Sequence, residues 1–130
     1  MKIKTSELTG AALDWAVAKC LGQDEEYVLY PEQFKLLRET SADSPFFYST
    51  DWAQGGPIIE RECIGVLPPV TRRIGAERYA FPVDYWRALL QRDENESVTH
   101  GRGPTPLVAA MRCYVASKLG DEVDVPEELM

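Results

Sequence analysis

Thr105-Pro106-Leu107-Val108-Ala109-Ala110-Met111-Arg112-Cys113-Tyr114-Val115-Ala116-Ser117-Lys118-Leu119-Gly120 is the stretch whose reading decides the fold. Thr105 offers a capping hydroxyl, Pro106 suits a first helical position that needs no N–H, and Gly120 suits the stop. These signals predict a helix over 105–119. Its bulky side is Val108, Met111, Val115 and Leu119; its small side is Ala109, Cys113 and Ala116. A helix apolar on two sides is covered on two sides. The small side lets a partner backbone approach closely, whether the first helix or a second copy of the chain, so a homodimer is one expectation.

Working outward, the segment 7–20 repeats the pattern: Leu8, Ala11, Ala12, Leu13, Trp15, Ala16, Val17 and Cys20 surround a lone Asp14, and Thr5, Ser6 or Thr9 offers a cap. A third helix is expected over 56–64, because Pro57 is unsuited to a helix interior. The alternative is that 51–55 forms a separate turn. A shorter helix follows Pro31. Lys2-Ile3-Lys4 alternates as a strand does, Tyr27-Val28-Leu29-Tyr30 has strand chemistry, and Phe46-Phe47-Tyr48 reads as another extended piece. Val66–Val70 reads as a break in regular structure and 72–77 as a loop. Segment 78–90 reads as strand pieces either side of Pro82, or as a helix from Asp84. Residues 93–103 read as a mobile polar loop and 121–130 as an acidic tail. The resulting expectation is one α+β domain over 1–130, three principal helices layered with a small antiparallel sheet.

The chain has 130 residues, 14 basic and 21 acidic, for a net charge of −7. The charge is uneven: −4 over 1–56, +1 over 57–112 and −4 over 113–130. All eight cations of the middle segment are arginines, whose rigid fork suits carboxylate and phosphate partners. The acidic total argues against general nucleic-acid binding. No apolar run approaches the ~20 residues a bilayer needs, and no signal-peptide core follows Met1, so neither a membrane partner nor export is expected. The three cysteines, Cys20, Cys63 and Cys113, are widely spaced, lie in apolar-rich segments that look helical, and accompany a single histidine, His100. No disulfide framework, metal site or cofactor is expected from them.

The best candidate site is Thr50-Asp51-Trp52-Ala53-Gln54-Gly55-Gly56-Pro57. Adjacent glycines permit close backbone approach, and a helix start presents free N–H groups to an anion. On that reading Asp51 and Gln54 contact polar edges, Trp52 stacks on a base, and Gly55 and Gly56 admit a phosphate. The structural alternative is a capped helix start with Trp52 in the core. Arg61 or Arg112 would meet the ligand's charge. Arg112 needs an anion in any case, and Asp14 is its expected structural partner. His100 sits in a glycine loop, and Glu60 and Glu62 point apart, so no catalytic constellation is evident.

Three stretches carry a resemblance: Met1 to Lys19, Tyr48-Ser49-Thr50-Asp51-Trp52-Ala53-Gln54-Gly55-Gly56-Pro57 to Glu62, and Gly103-Pro104-Thr105-Pro106-Leu107 to Pro126. Together they resemble the NinX-type small proteins of tailed phages and prophages, a family without an assigned biochemical function. The order of elements is similar to phage α/β/α sandwich domains. Segments 23–47 and 65–102 carry no recognised likeness. The resemblance implies a phage origin and a host bacterial cytoplasm. Joined to the glycine-rich helix start and the arginine-only middle, it leads to an expected function. That expectation is a non-enzymatic accessory protein that captures an anionic, nucleotide-like small molecule, interfering with host defence. The rival is an inhibitor or adaptor that binds a host protein through the acidic ends.

Overall fold

A computed structural model of the chain describes residues 1–22, 25–41, 43–69 and 84–130. The fold is α+β and, among the described residues, has five α-helices, a two-stranded ribbon and a three-stranded sheet, both antiparallel. In chain order the elements are β1 (Lys2–Lys4), α1 (Gly10–Leu21), α2 (Glu25–Leu29), α3 (Pro31–Thr40) and α4 (Trp52–Glu62). They continue with β2 (Gly65–Leu67), β3 (Trp86–Leu90), β4 (Thr99–Gly103), α5 (Pro106–Leu119) and β5 (Glu122–Asp124).

Helix α5 has the cap the sequence announces: the Thr105 hydroxyl accepts the Val108 N–H at 3.1 Å, and Gly120 ends the helix. Ala109, Ala110, Met111, Cys113 and Val115 are fully buried. The sheet β2–β3–β4 packs on α5, and α1 and α4 pack on it as well. The helix is thus the middle layer, with helices on one side and sheet on the other. The most apolar element takes the most enclosed place.

The small side of α5 packs against β4. A Cβ on Gly101 would sit on the Ala109 carbonyl oxygen and 2.6 Å from the Cys113 nitrogen; one on Gly103 would lie 2.8 Å from the Ala109 nitrogen. Two glycines on the inward face let strand and helix backbones touch. Residues 99–103 are therefore a strand, and the polar loop is confined to the residues before it. The glycines that read as loop signals are a packing device.

Other expectations change for local reasons. Tyr27-Val28-Leu29 is helical, because Glu25-Glu26 suit a helix start and the Val28 carbonyl accepts the Trp15 indole N–H at 3.2 Å. Phe46–Tyr48 forms no strand and leads into a turn over 48–50. Helix α4 begins at Trp52, with Pro57 in its interior. Gly56 carries no Cβ to meet the proline ring, which lifts part of the usual restriction on the preceding residue. Gly65–Leu67 is a strand, so the break falls at Pro68-Pro69. Strand β3 matches the expected piece after Pro82; the piece before it and the 72–77 loop lie outside the described residues. Residues 121–130 are not a loose tail. Strand β5 pairs with β1, and Val123, Val125 and Leu129 are buried.

Asp14 and Arg112, expected as partners, are not paired. Asp14 is bound by Arg38 at 3.0 Å and by the Ser49 N–H at 2.9 Å. Arg38 sits on α3, a segment whose place against α1 could not be read from spacing alone.

Candidate functional site

The Asp51–Gly56 segment is engaged in holding α4. The Asp51 carboxylate accepts the Ala53 N–H at 3.0 Å, the ordinary N-cap bond. Gln54 straps the preceding loop: Oε1 accepts the Phe47 N–H at 2.9 Å, and Nε2 donates to the Ser44 carbonyl at 2.8 Å and to Asp51 at 3.2 Å. Gly55 is buried against the Tyr48 carbonyl, and a Cβ there would lie 2.7 Å from Leu107 Cδ2. Gly56 has more room: a Cβ there would lie 3.7 Å from the Trp52 ring. Trp52 is 55% exposed and so is not a core residue. Arg61 lies farther along α4, half exposed, 3.4 Å from Glu62.

Arg112 is elsewhere, in a cleft of about 440 Å³. That volume falls inside the roughly 300–1,000 Å³ typical of small-molecule sites. Its walls are Lys4, Thr5 and Ser6 at the end of β1, His100, Gly101 and Arg102 of β4, Arg112 and Ala116 of α5, and Asp121 and Glu122 at β5. Of the seven sequence-predicted site residues, only Arg112 lines it. The chain reaches this arrangement because the β1–β5 ribbon is tied beside α5: the Thr5 N–H donates to the Asp121 carbonyl at 2.7 Å and its hydroxyl to the Gly120 carbonyl at 2.6 Å.

Arg112 donates from Nε to the Leu8 carbonyl and from Nη1 to the Arg102 carbonyl, each at 2.8 Å. Both acceptors are neutral. No carboxylate among the described residues lies within ion-pair distance of it, and burial pulls its pKa below the usual arginine value. Lys4, His100 and Arg102 add cationic or proton-donating groups around it, while Asp121 and Glu122 give one acidic lip. Such a cleft suits an anion that also carries hydrogen-bond donors. Sequence reasoning missed His100 and Arg102 as site residues because β4 read as a loop, and Lys4 because the pairing of β1 with β5 beside α5 joins segments far apart in the chain. The available signal was the alternation of His100 and Arg102 with glycine, a period of two with one bare face.

Burial pushes the Cys20 and Cys113 thiols up to about 12. Cys63 is exposed, contrary to its apolar neighbourhood, because it ends α4 in a left-handed conformation at φ 55°. Among the described residues no three His, Cys, Asp or Glu side chains converge as a metal site would require, and no helix is long and apolar enough to cross a membrane.

No curated protein matches the chain. The family described as Bacteriophage P22, NinX matches residues 4–118, which takes in α1, α4, β4 and α5 and three of the four cleft walls in whole or in part. The chain belongs to the bacteriophage P22 NinX family.

Proposed function

We propose that this phage protein is a non-enzymatic accessory factor that binds an anionic, nucleotide-like small molecule in the cleft between β1, β4 and α5. The carrying observation is Arg112: a partly buried guanidinium bonded, among the described residues, only to neutral carbonyls. A desolvated charge without a counter-ion is costly, and an entering phosphate or carboxylate relieves that cost. On this reading Lys4 and Arg102 share the anion's charge, and Asp121 or Glu122 accepts from a base or hydroxyl group. The helix start at Asp51–Gly56 then acts as scaffold, since Asp51, Gln54 and Gly55 support the fold. In a host cytoplasm, sequestering a signalling nucleotide would blunt a defence response.

The test is a thermal-shift screen against a panel of nucleotides and other phosphorylated metabolites, with Lys4→Gln as the cleft variant. A binder raises Tm by mass action. The reading expects a concentration-dependent rise that Lys4→Gln reduces while its own ligand-free Tm is unchanged. A flat panel, or a rise that Lys4→Gln leaves intact, overturns it. The rival, an adaptor for a host protein, draws support from the 55% exposure of Trp52 and the exposed Leu29, Tyr30 and Leu36. A host protein captured by the native chain and lost with Trp52→Ala would favour that rival.

A further inference from the structure

The three-stranded sheet has two faces of opposite character. Ala88 and Leu90 are buried toward α5, beside Gly101 and Gly103. Strand alternation then places Arg87, Leu89, His100 and Arg102 on the other face. The register sets Leu67, Arg87 and Arg102 in one row across β2, β3 and β4, and Gly65, Leu89 and His100 in the next. The chain has 21 acidic residues, yet β2, β3 and β4 contain none.

Arg87 and Arg102 stand directly opposite each other, so their Cβ atoms are roughly 5 Å apart. Like charges so placed destabilise a sheet unless an anion joins them. Neither guanidinium meets a carboxylate among the described residues, and Arg87 Nε is buried without a hydrogen-bond partner. The Arg102 guanidinium lies 5.2 Å from the centre of the Tyr85 ring. Leu67 is 38% exposed beside Arg87 and offers a flat apolar body a resting place.

We propose that the outer face of the sheet is a second anion site, in which Arg87 and Arg102 together grip the terminal phosphate of a mononucleotide while its ring lies over Leu67 and Leu89. Two guanidiniums match a terminal phosphate, which carries about −1.5 to −2 near neutrality, better than a phosphodiester with its single charge. The site is distinct from the cleft: Arg87, Leu67 and Leu89 do not line the cleft, and Arg102 stands at the boundary between them.

The experiment is an amide NMR titration of the full chain with AMP, adenosine and inorganic phosphate, repeated for Arg87→Gln. The expected result is AMP-dependent shifts at 85–89 and 99–103, absent with adenosine. Arg87→Gln should weaken AMP binding about tenfold, the effect of losing one charge-assisted contact, at unchanged ligand-free Tm. Shifts at Lys4, Ser6, Asp121 and 100–102 without shifts at 85–89 would overturn this site while leaving the cleft reading standing. Equal shifts from inorganic phosphate, or AMP shifts that survive Arg87→Gln, also overturn it. If Arg87→Gln lowers the ligand-free Tm, Arg87→Lys replaces it: the same face should then bind AMP more weakly with its fold intact, and unchanged binding rejects the proposal.

Discussion

Arg38 of α3 grips Asp14 of α1, its Nη2 at 3.0 Å and its Nε at 3.3 Å from the same carboxylate oxygen. The Arg38 Nε also donates to the Phe46 carbonyl at 3.1 Å, and its guanidinium lies 4.5 Å from the Phe47 ring centre. Two helices and the loop before α4 thus meet at one carboxylate with no exposed surface.

Removing one partner leaves a buried charge without its counter-ion, which costs about 3–5 kcal/mol. Arg38→Leu should therefore lower urea-unfolding stability by about that amount. Burial raises the Asp14 carboxyl above its ordinary value of 3.8, against the Ser49 and Arg38 contacts that pull it down. A raised folded-state value means the native state holds the proton more tightly. The Asp14 titration therefore adds stability below about pH 3.8, and this contribution is lost as pH rises through the raised value. The stability of the native chain relative to Asp14→Asn should accordingly fall as pH rises above about 3.8. A difference that grows with pH would reject the assignment.

Gly101→Ala tests the strand–helix contact. The added methyl meets backbone atoms of Ala109 and Cys113, which cannot swing aside as a side chain can. A loss of about 3 kcal/mol is expected. Gly65→Ala, whose methyl would find its nearest atom at 3.8 Å, is the control and should be neutral or slightly stabilising. Chemical denaturation of both variants decides it.

Gln54→Ala should be destabilising, because it frees the Phe47 N–H and the Ser44 carbonyl from their partner. The expected loss is about 1–3 kcal/mol. Any small molecule that raises the Tm of the native chain should raise that of Gln54→Ala by a similar increment. An affinity loss without a stability loss would return the binding site to the start of α4.

Thiol labelling of the native chain near pH 8 should modify Cys63 alone of the three cysteines. Cys20 and Cys113, with thiols pushed up to about 12, hold almost no thiolate there. Cys63→Gly should abolish labelling and raise stability by about 1 kcal/mol, since glycine adopts the left-handed cap without a Cβ penalty. Mass spectrometry and a melting curve read both outcomes.

The elements legible in the sequence were those that carry their own punctuation. Thr105-Pro106 and Gly120 bracket α5 by local chemistry, and the cap at Asp51 marks a helix start even though Pro57 misplaced it. What resisted reading was decided by distant partners. Tyr27–Leu29 is helical because α1 and Phe46 receive it, with the Tyr27 and Phe46 rings 5.5 Å apart. Strand β4 was hidden because its inward positions are glycines, which match a backbone six to twelve residues farther along the chain. The cleft draws on four separate segments, and only Arg112 signalled it, as a charge in an otherwise apolar helix.

The bare inner face of β4 also divides labour along a five-residue strand. Positions 101 and 103 are fixed by contact with α5, while 100 and 102 are exposed. The strand therefore works as a rewritable label on a fixed mount. Exchanging His100 and Arg102 for other residues would change the charge and chemistry of the surface without renegotiating the fold.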